Sequence, residues 1–98
     1  MEDRSAPMRL KLLTPAGQTA DVGCDSVVLI LQDDREGRGG GKVGVQPGHA
    51  PAVMALSDGP IRASLAGKTV LNARTAGGFA SVKENVVSVI TDSVSITE

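Results

Sequence analysis

A chain of 98 residues supports one domain with a modest core, and with 41% hydrophobic residues but a single aromatic, Phe79, that core must be built from Val, Leu, Ile and Ala. A net charge of −1 from balanced acids and bases gives no footprint for nucleic acid or anionic lipid, and aromatic stacking platforms are missing. No apolar run approaches the ~20 residues of a bilayer span and Met1 to Pro7 has no hydrophobic signal core, so a protein neither secreted nor inserted into lipid is expected.

Residues 1–7 are polar with a proline and read as a disordered tail ahead of one domain over 8–98. Met8, Leu10 and Leu12 alternate with Arg9 and Lys11, the period of two of a half-buried strand. Thr14-Pro15-Ala16-Gly17 breaks it. Gln18 to Val22 is a weak strand. Ser26 to Leu31 is a continuous run of β-branched residues and Leu, the pattern of a strand in a sandwich core. The one cysteine, Cys24, has no partner for an intrachain disulfide and no basic neighbour in sequence to activate it, so a packed or half-exposed thiol in a reducing compartment is expected.

From Asp33 to Gly41 the chain is charged and glycine-dense and predicts a mobile loop. The stretch Gly41 to Pro51 then reads as a turn-rich hinge between strands. Pro47-Gly48 is a turn pair, and Pro51 restricts Ala50. Ala52 to Leu56 fits a strand or a short helix. Ile61, Ala63 and Leu65 alternate with polar residues. Gly67-Lys68 turns into Thr69 to Ala73, Gly77-Gly78 turns into Phe79 to Lys83, and Glu84-Asn85 turns into Val86 to Thr91, with Val94 to Ile96 closing the series. Many short strands at close spacing predict an all-β, antiparallel sandwich. Phe79 is expected to be its one large core residue, with truncation to Ala costing on the order of 3 kcal/mol.

Catalytic chemistry finds little purchase. Around Gly41-Lys42, Glu36 stands where a phosphate loop has its first glycine and Val43 where it has a hydroxyl. One histidine and one distant cysteine do not make a metal site, and Asp33, Asp34 and Glu36 lack the spacing of a calcium loop. There is no Gly-x-Ser-x-Gly elbow, and His49, the one neutral-pH base, is expected to hydrogen-bond nearby backbone. No catalytic residue, cofactor or metal is assigned, and the chain is expected to bind no ATP.

The segment Gly41-Lys42-Val43-Gly44-Val45-Gln46-Pro47-Gly48-His49-Ala50-Pro51 resembles the Gly-Glu-(Leu/Phe)-Gly-(Ile/Val)-x-Pro-Gly-His-(Ala/Glu)-Pro segment of the epsilon subunit of F-type ATP synthases. Asp58-Gly59-Pro60-Ile61-Arg62, Gly77-Gly78-Phe79-Ala80-Ser81-Val82 and Asn85 to Asp92 are similar to later pieces of the same family, in the same order, over roughly residues 8–94. The resemblance implies a central-stalk β-sandwich, without the C-terminal helical hairpin common in the family. Such a domain couples a gamma subunit to the membrane rotor ring (the c-ring) in ion-driven ATP synthesis or ATP-driven ion transport. It is non-catalytic and monomeric when isolated, and sits peripherally on the cytoplasmic face of a bacterial inner (plasma) membrane.

By position the resemblance puts Gly41, Lys42 and Val43 at the rotor ring, with Lys42 at a loop tip where the family usually has Glu. Thr14, His49 and Met54 fall at the gamma subunit, and Pro47, Gly48, Pro51, Gly77 and Gly78 in structural turns. Because the sequence stops at Glu98 without the hairpin, a subunit that couples without inhibiting is expected. The long loop over 33–41 fits a divergent or alternate-type rotary ATPase. The competing reading is a stand-alone β-sandwich that binds a small ligand or peptide at the Gly-rich loop.

Overall fold

A computed structural model describes residues 6–32 and 41–97. The expected tail over 1–7 lies mostly outside them, as does the expected mobile loop apart from Gly41. The described chain is ten strands: β1 (Met8–Thr14), β2 (Gly17–Cys24), β3 (Ser26–Leu31), β4 (Gly41–Val45), β5 (Ala52–Leu56), β6 (Gly59–Leu65), β7 (Lys68–Thr75), β8 (Gly78–Lys83), β9 (Val86–Ile90) and β10 (Val94–Thr97). They form a sandwich whose layers are β4-β3-β6-β7-β10 and β5-β8-β9-β1-β2, joined where Leu31 of β3 pairs with Leu56 of β5. The expected antiparallel all-β sandwich is therefore present. One pairing departs from that rule, since β1 runs parallel to β9 with Leu10 opposite Val87 and Leu12 opposite Val89.

Turn chemistry sets the hairpins. Between β6 and β7, Ala66 (φ 53°) and Gly67 (φ 80°) both turn left-handed, and Glu84 (φ 52°) and Asn85 (φ 65°) do the same between β8 and β9. Two consecutive positive φ values make the tight two-residue turn whose twist suits paired strands. Pro60 lies in β6 beyond the stretch paired with β3, which spans Arg62 to Ser64, so its missing N–H leaves no ladder bond unmade there.

Alternation decides what is buried. Met8, Leu10 and Leu12 of β1, Val27 and Leu29 of β3, Ile61 and Ala63 of β6, Ala80 and Val82 of β8, and Val87 and Val89 of β9 all turn inward. The core is thus aliphatic, as the composition predicts. It does not include Phe79. That side chain is 58% exposed, because Ala80 and Val82 claim the inner face of β8 and the two-residue period sends Phe79, Ser81 and Lys83 outward. The expectation of a buried Phe79 is corrected accordingly.

A second correction concerns residues 41–45, read as part of a hinge. They form β4, paired residue by residue from Val27–Val45 to Leu31–Gly41. Two glycines give this segment poor strand propensity, and the apolar edge of β3 supplies the template that overrides it.

Cys24, at the end of β2, is fully buried. Desolvation pushes its thiol pKa up, the negative charge of Asp25 adds to the rise, and a backbone hydrogen bond from Ser26 and the charge of Arg9 offset part of it. The folded chain is expected to resist iodoacetamide at mildly alkaline pH and to take up one adduct rapidly in denaturant, which mass spectrometry reads directly. Rapid labelling of the folded chain would place the thiol at the surface. With the folded pKa raised, the unfolded chain releases this proton first as pH climbs, so this group's contribution to stability falls above the pKa of the unfolded thiol.

Candidate functional site

Two surfaces carry the residues singled out above. The first is built on β4. Lys42 pairs with Ile30 and is exposed, one residue inside the strand rather than at a loop tip as expected, while Val43 turns toward the core and packs against it. Gly41 (φ 102°) opens the strand. Beyond β4, Gln46-Pro47-Gly48-His49 is a closed turn in which His49 N–H donates to the Gln46 carbonyl at 3.1 Å. Proline second and a glycine at φ 86° third give it the type II form.

That turn is tied to the other sheet, since Gly48 N–H donates to Asn85 Oδ1 at 2.8 Å. His49 Nδ1 lies 2.7 Å from the Ala50 carbonyl and donates to it, so the ring bonds local backbone as expected. Pro51 is exposed just before β5.

The second surface is the outside of β5-β8-β9-β1. Register puts Ala55 beside Phe79, Phe79 beside Ile90 and Ile90 beside Leu13, an apolar row across four strands. Ile90 is 59% exposed, and Val53, two residues from Ala55 on the same face, is 73% exposed. At the end of the row, Thr14, Pro15, Phe79, Ile90 and Asp92 line an open cleft of about 540 Å³. Thr14 Oγ1 accepts from Ala16 N–H at 3.2 Å and so holds the β1–β2 turn.

Thr14, His49 and Met54 are not brought together. Thr14 lies at the Gly78 end of this layer, His49 at the Asn85 end, and Met54 sits mid-strand in β5, half-buried against the core. Of the turn glycines, Gly77 (φ 65°) and Gly78 (φ 110°) both have left-handed backbones. Phe79 and Ile90 were missed as surface residues, although the alternation Phe79-Ser81-Lys83 against Ala80-Val82 already signals the outward face of β8. Among the described residues, no group of three His, Cys, Asp or Glu side chains is placed to hold a metal, and no helix is long and apolar enough to cross a membrane.

Residues 7–96 match the family described as ATP synthase, Delta/Epsilon chain, beta-sandwich domain. The chain belongs to that family. Among its delta/epsilon relatives, the ATP synthase epsilon chain of Desulfitobacterium hafniense (strain DSM 10664 / DCB-2) is 32% identical over 83 residues, which are 85% of this chain and 57% of the relative. The ATP synthase epsilon chain of Acinetobacter baylyi is 43% identical over 53 residues, 54% of this chain and 38% of that one. This delta/epsilon sandwich thus spans about half the length of the relatives it matches.

Two solved structures share the fold. A chain of the Euglena gracilis mitochondrial ATP synthase, OSCP/F1/c-ring, superposes with a TM-score of 0.71 at 23% identity, over 98% of this chain and 58% of that one. A chain of the Tetrahymena thermophila mitochondrial ATP synthase central stalk/c-ring gives 0.65 at 15% identity, over 97% and 69%.

Proposed function

We propose that the chain is a non-catalytic central-stalk subunit of a rotary ATP synthase or ATPase, coupling a gamma-type subunit to the membrane rotor ring from the cytoplasmic face of the inner (plasma) membrane. The observation that carries this reading is the family match over nearly the whole sandwich, and the relatives' name, ATP synthase epsilon chain, supports it. A rigid, fully paired sandwich suits a part that passes torque between neighbours, because close-packed interiors deform little.

On this reading the gamma subunit lies along the β5-β8-β9-β1 face. Phe79, Ile90 and Val53 supply the desolvated contact area there, with Thr14 and His49 at its two ends and Met54 beneath it, half-buried against the core. An exposed aromatic among aliphatics is the usual composition of an interface centre. Gly41, Lys42 and Val43 meet the rotor ring, where Lys42 calls for an acidic partner.

Co-expression with the gamma subunit of the same genome and co-purification of the pair tests the assignment. The reading fails if gamma assembles on the ring identically with and without this chain. Lys42→Glu in the full membrane complex is expected to make stalk attachment weaker or more salt-sensitive by under about 1 kcal/mol, the range of a rim charge. Unchanged attachment from low to high ionic strength would remove Lys42 from the ring contact while leaving the family intact.

The same reading makes the 98-residue polypeptide a coupling element rather than a brake. Its ten described strands are each paired with a neighbour, and a rigid part of that kind suits coupling. Strong suppression of ATP hydrolysis when the chain is added to the catalytic complex would refute that part.

A further inference from the structure

The β4-β3-β6-β7-β10 layer contains Lys42, Arg62, Lys68 and Arg74 and not one Asp or Glu. Strand parity puts Lys42, Arg62 and Arg74 on its outer face, all three exposed. Register sets them in two adjoining rows. Lys42 pairs with Ile30 and Pro60 with Arg74 in one, and Gly44 with Val28, Val28 with Arg62 and Arg62 with Asn72 in the other. Two strand spacings separate Lys42 from Arg62, roughly 10 Å, and three separate it from Arg74, roughly 15 Å. The described ion pair of the chain, Arg9 with Asp21 at 2.7 Å, lies on the other layer. Among the described residues, none of these three cations has an ion-pair or side-chain hydrogen-bond partner.

Between Lys42 and Arg62 is a groove of about 210 Å³ floored by Val28, Ile30 and Pro60. Gly44 keeps its neighbourhood open, since a Cβ there would meet nothing within 4 Å. A lysine on an edge strand is a common guard against edge-to-edge pairing, and Lys42 alone needs no further explanation. Arg62 and Arg74 stand on interior strands, β6 in the middle of the layer and β7 one strand in from β10, where that reason does not apply. A solvated face ordinarily mixes both signs, and this one, in a chain of net charge −1, carries one.

We propose that this face docks an acidic polypeptide segment of a partner protein, laid across the strands with carboxylates at Lys42, Arg62 and Arg74 and aliphatic side chains in the groove between. Two arginines favour a carboxylate partner, whose two oxygens match the planar guanidinium fork. The apolar floor is recessed between the cations, the chain's one aromatic is on the opposite layer, and the exposed aliphatic of this outer face, Val70, stands apart from the groove, so the face offers no clustered apolar projection for a bilayer. Lys42 is shared with the rotor-ring contact proposed above, whereas Arg62 and Arg74 are not, and the face stands on its own geometry.

The test is a titration of the isotopically labelled full chain with a short synthetic peptide alternating Glu and Leu, followed by backbone amide shifts. Matched arms use the Lys-Leu counterpart and phosphatidylglycerol vesicles. Shifts are expected at Val28, Ile30, Lys42 to Gly44, Arg62 and Asn72 to Arg74 with the acidic peptide only. Binding is expected to weaken about tenfold in Arg62→Glu/Arg74→Glu and to weaken again as salt shortens the screening length. Arg62→Gln/Arg74→Gln, which adds no new charge, should show a smaller loss at unchanged melting temperature and serves if the double reversal does not fold. Absence of binding, shifts confined to the Arg9, Lys11 and Lys83 end of the other layer, or equal binding of the vesicles to this face overturns the proposal. Each of these leaves co-purification with gamma, and hence the stalk reading, untouched.

Discussion

Gly78→Ala is expected to lower stability by about 3 kcal/mol or more, close to what a domain of this size has in reserve. A methyl built on Gly78 would stand 2.1 Å from the Ile90 carbonyl oxygen and 3.0 Å from the Thr91 Cα, both backbone atoms. They are not free to retreat. Ile90 is paired with Phe79, and Thr91 is buried, with its N–H donating to the Leu13 carbonyl at 3.0 Å. The left-handed φ of 110° adds strain for any residue with a Cβ. In a chain of this length the loss corresponds to a melting point lower by roughly 12–24 °C.

Gly67→Ala is the control, because its φ of 80° is also left-handed but a Cβ there would meet nothing within 4 Å. It should cost only the backbone strain, about 1 kcal/mol. Equal melting points for the two variants would show that the close approach at Gly78 does not exist in solution.

Leu12→Ala is expected to cost about 3 kcal/mol and Phe79→Ala under about 1 kcal/mol, reversing the order that residue size alone suggests. Leu12 is wholly buried where β1 meets β9, so its removal leaves a cavity lined by neighbours that are themselves fixed in ladders. Phe79 already spends 58% of its surface on solvent, and its truncation removes contact area without opening the core. Denaturant titration of both variants decides the matter through the shift in midpoint at constant slope. A Phe79→Ala loss as large as that of Leu12→Ala would mean that the ring packs inward.

Much of this architecture was legible in the residues. Met8-Leu10-Leu12 and Ile61-Ala63 announce inward faces by strict alternation, and the Glu84-Asn85 turn falls where it is read, whereas the turn read at Gly67-Lys68 lies one residue earlier, at Ala66-Gly67, with Lys68 already in β7. What escaped the reading has physical causes. β4 was hidden because Gly41 and Gly44 carry no strand preference of their own, and the pairing with β3 that creates it is long-range. Phe79 was misplaced by weighing hydrophobicity over period, although its neighbours Ala80 and Val82 already held the inner face.

The surfaces were harder still. Lys42, Arg62 and Arg74 are scattered through 33 positions of the chain and become one face only when register is known. The same holds for Thr14 and His49, adjacent to no common motif in sequence and set at opposite ends of a layer by the β5–β8 and β8–β9 pairings.

The parallel pairing of β1 with β9 also dictates when the molecule can exist at all. Until Val86 to Ile90 have been synthesised, β1 has only β2 beside it, and an isolated hairpin is at best marginally stable in water. Met8, Leu10 and Leu12 must therefore wait, uncovered, for nearly the whole chain to emerge, and closure over such sequence distances belongs to folding times of about milliseconds to seconds. The row of Leu13, Ile90, Phe79 and Ala55 is assembled from both ends of the polypeptide in that same event. A partner that grips this row is thereby blind to nascent or half-folded chains, and assembly onto it doubles as an inspection that the sandwich has closed.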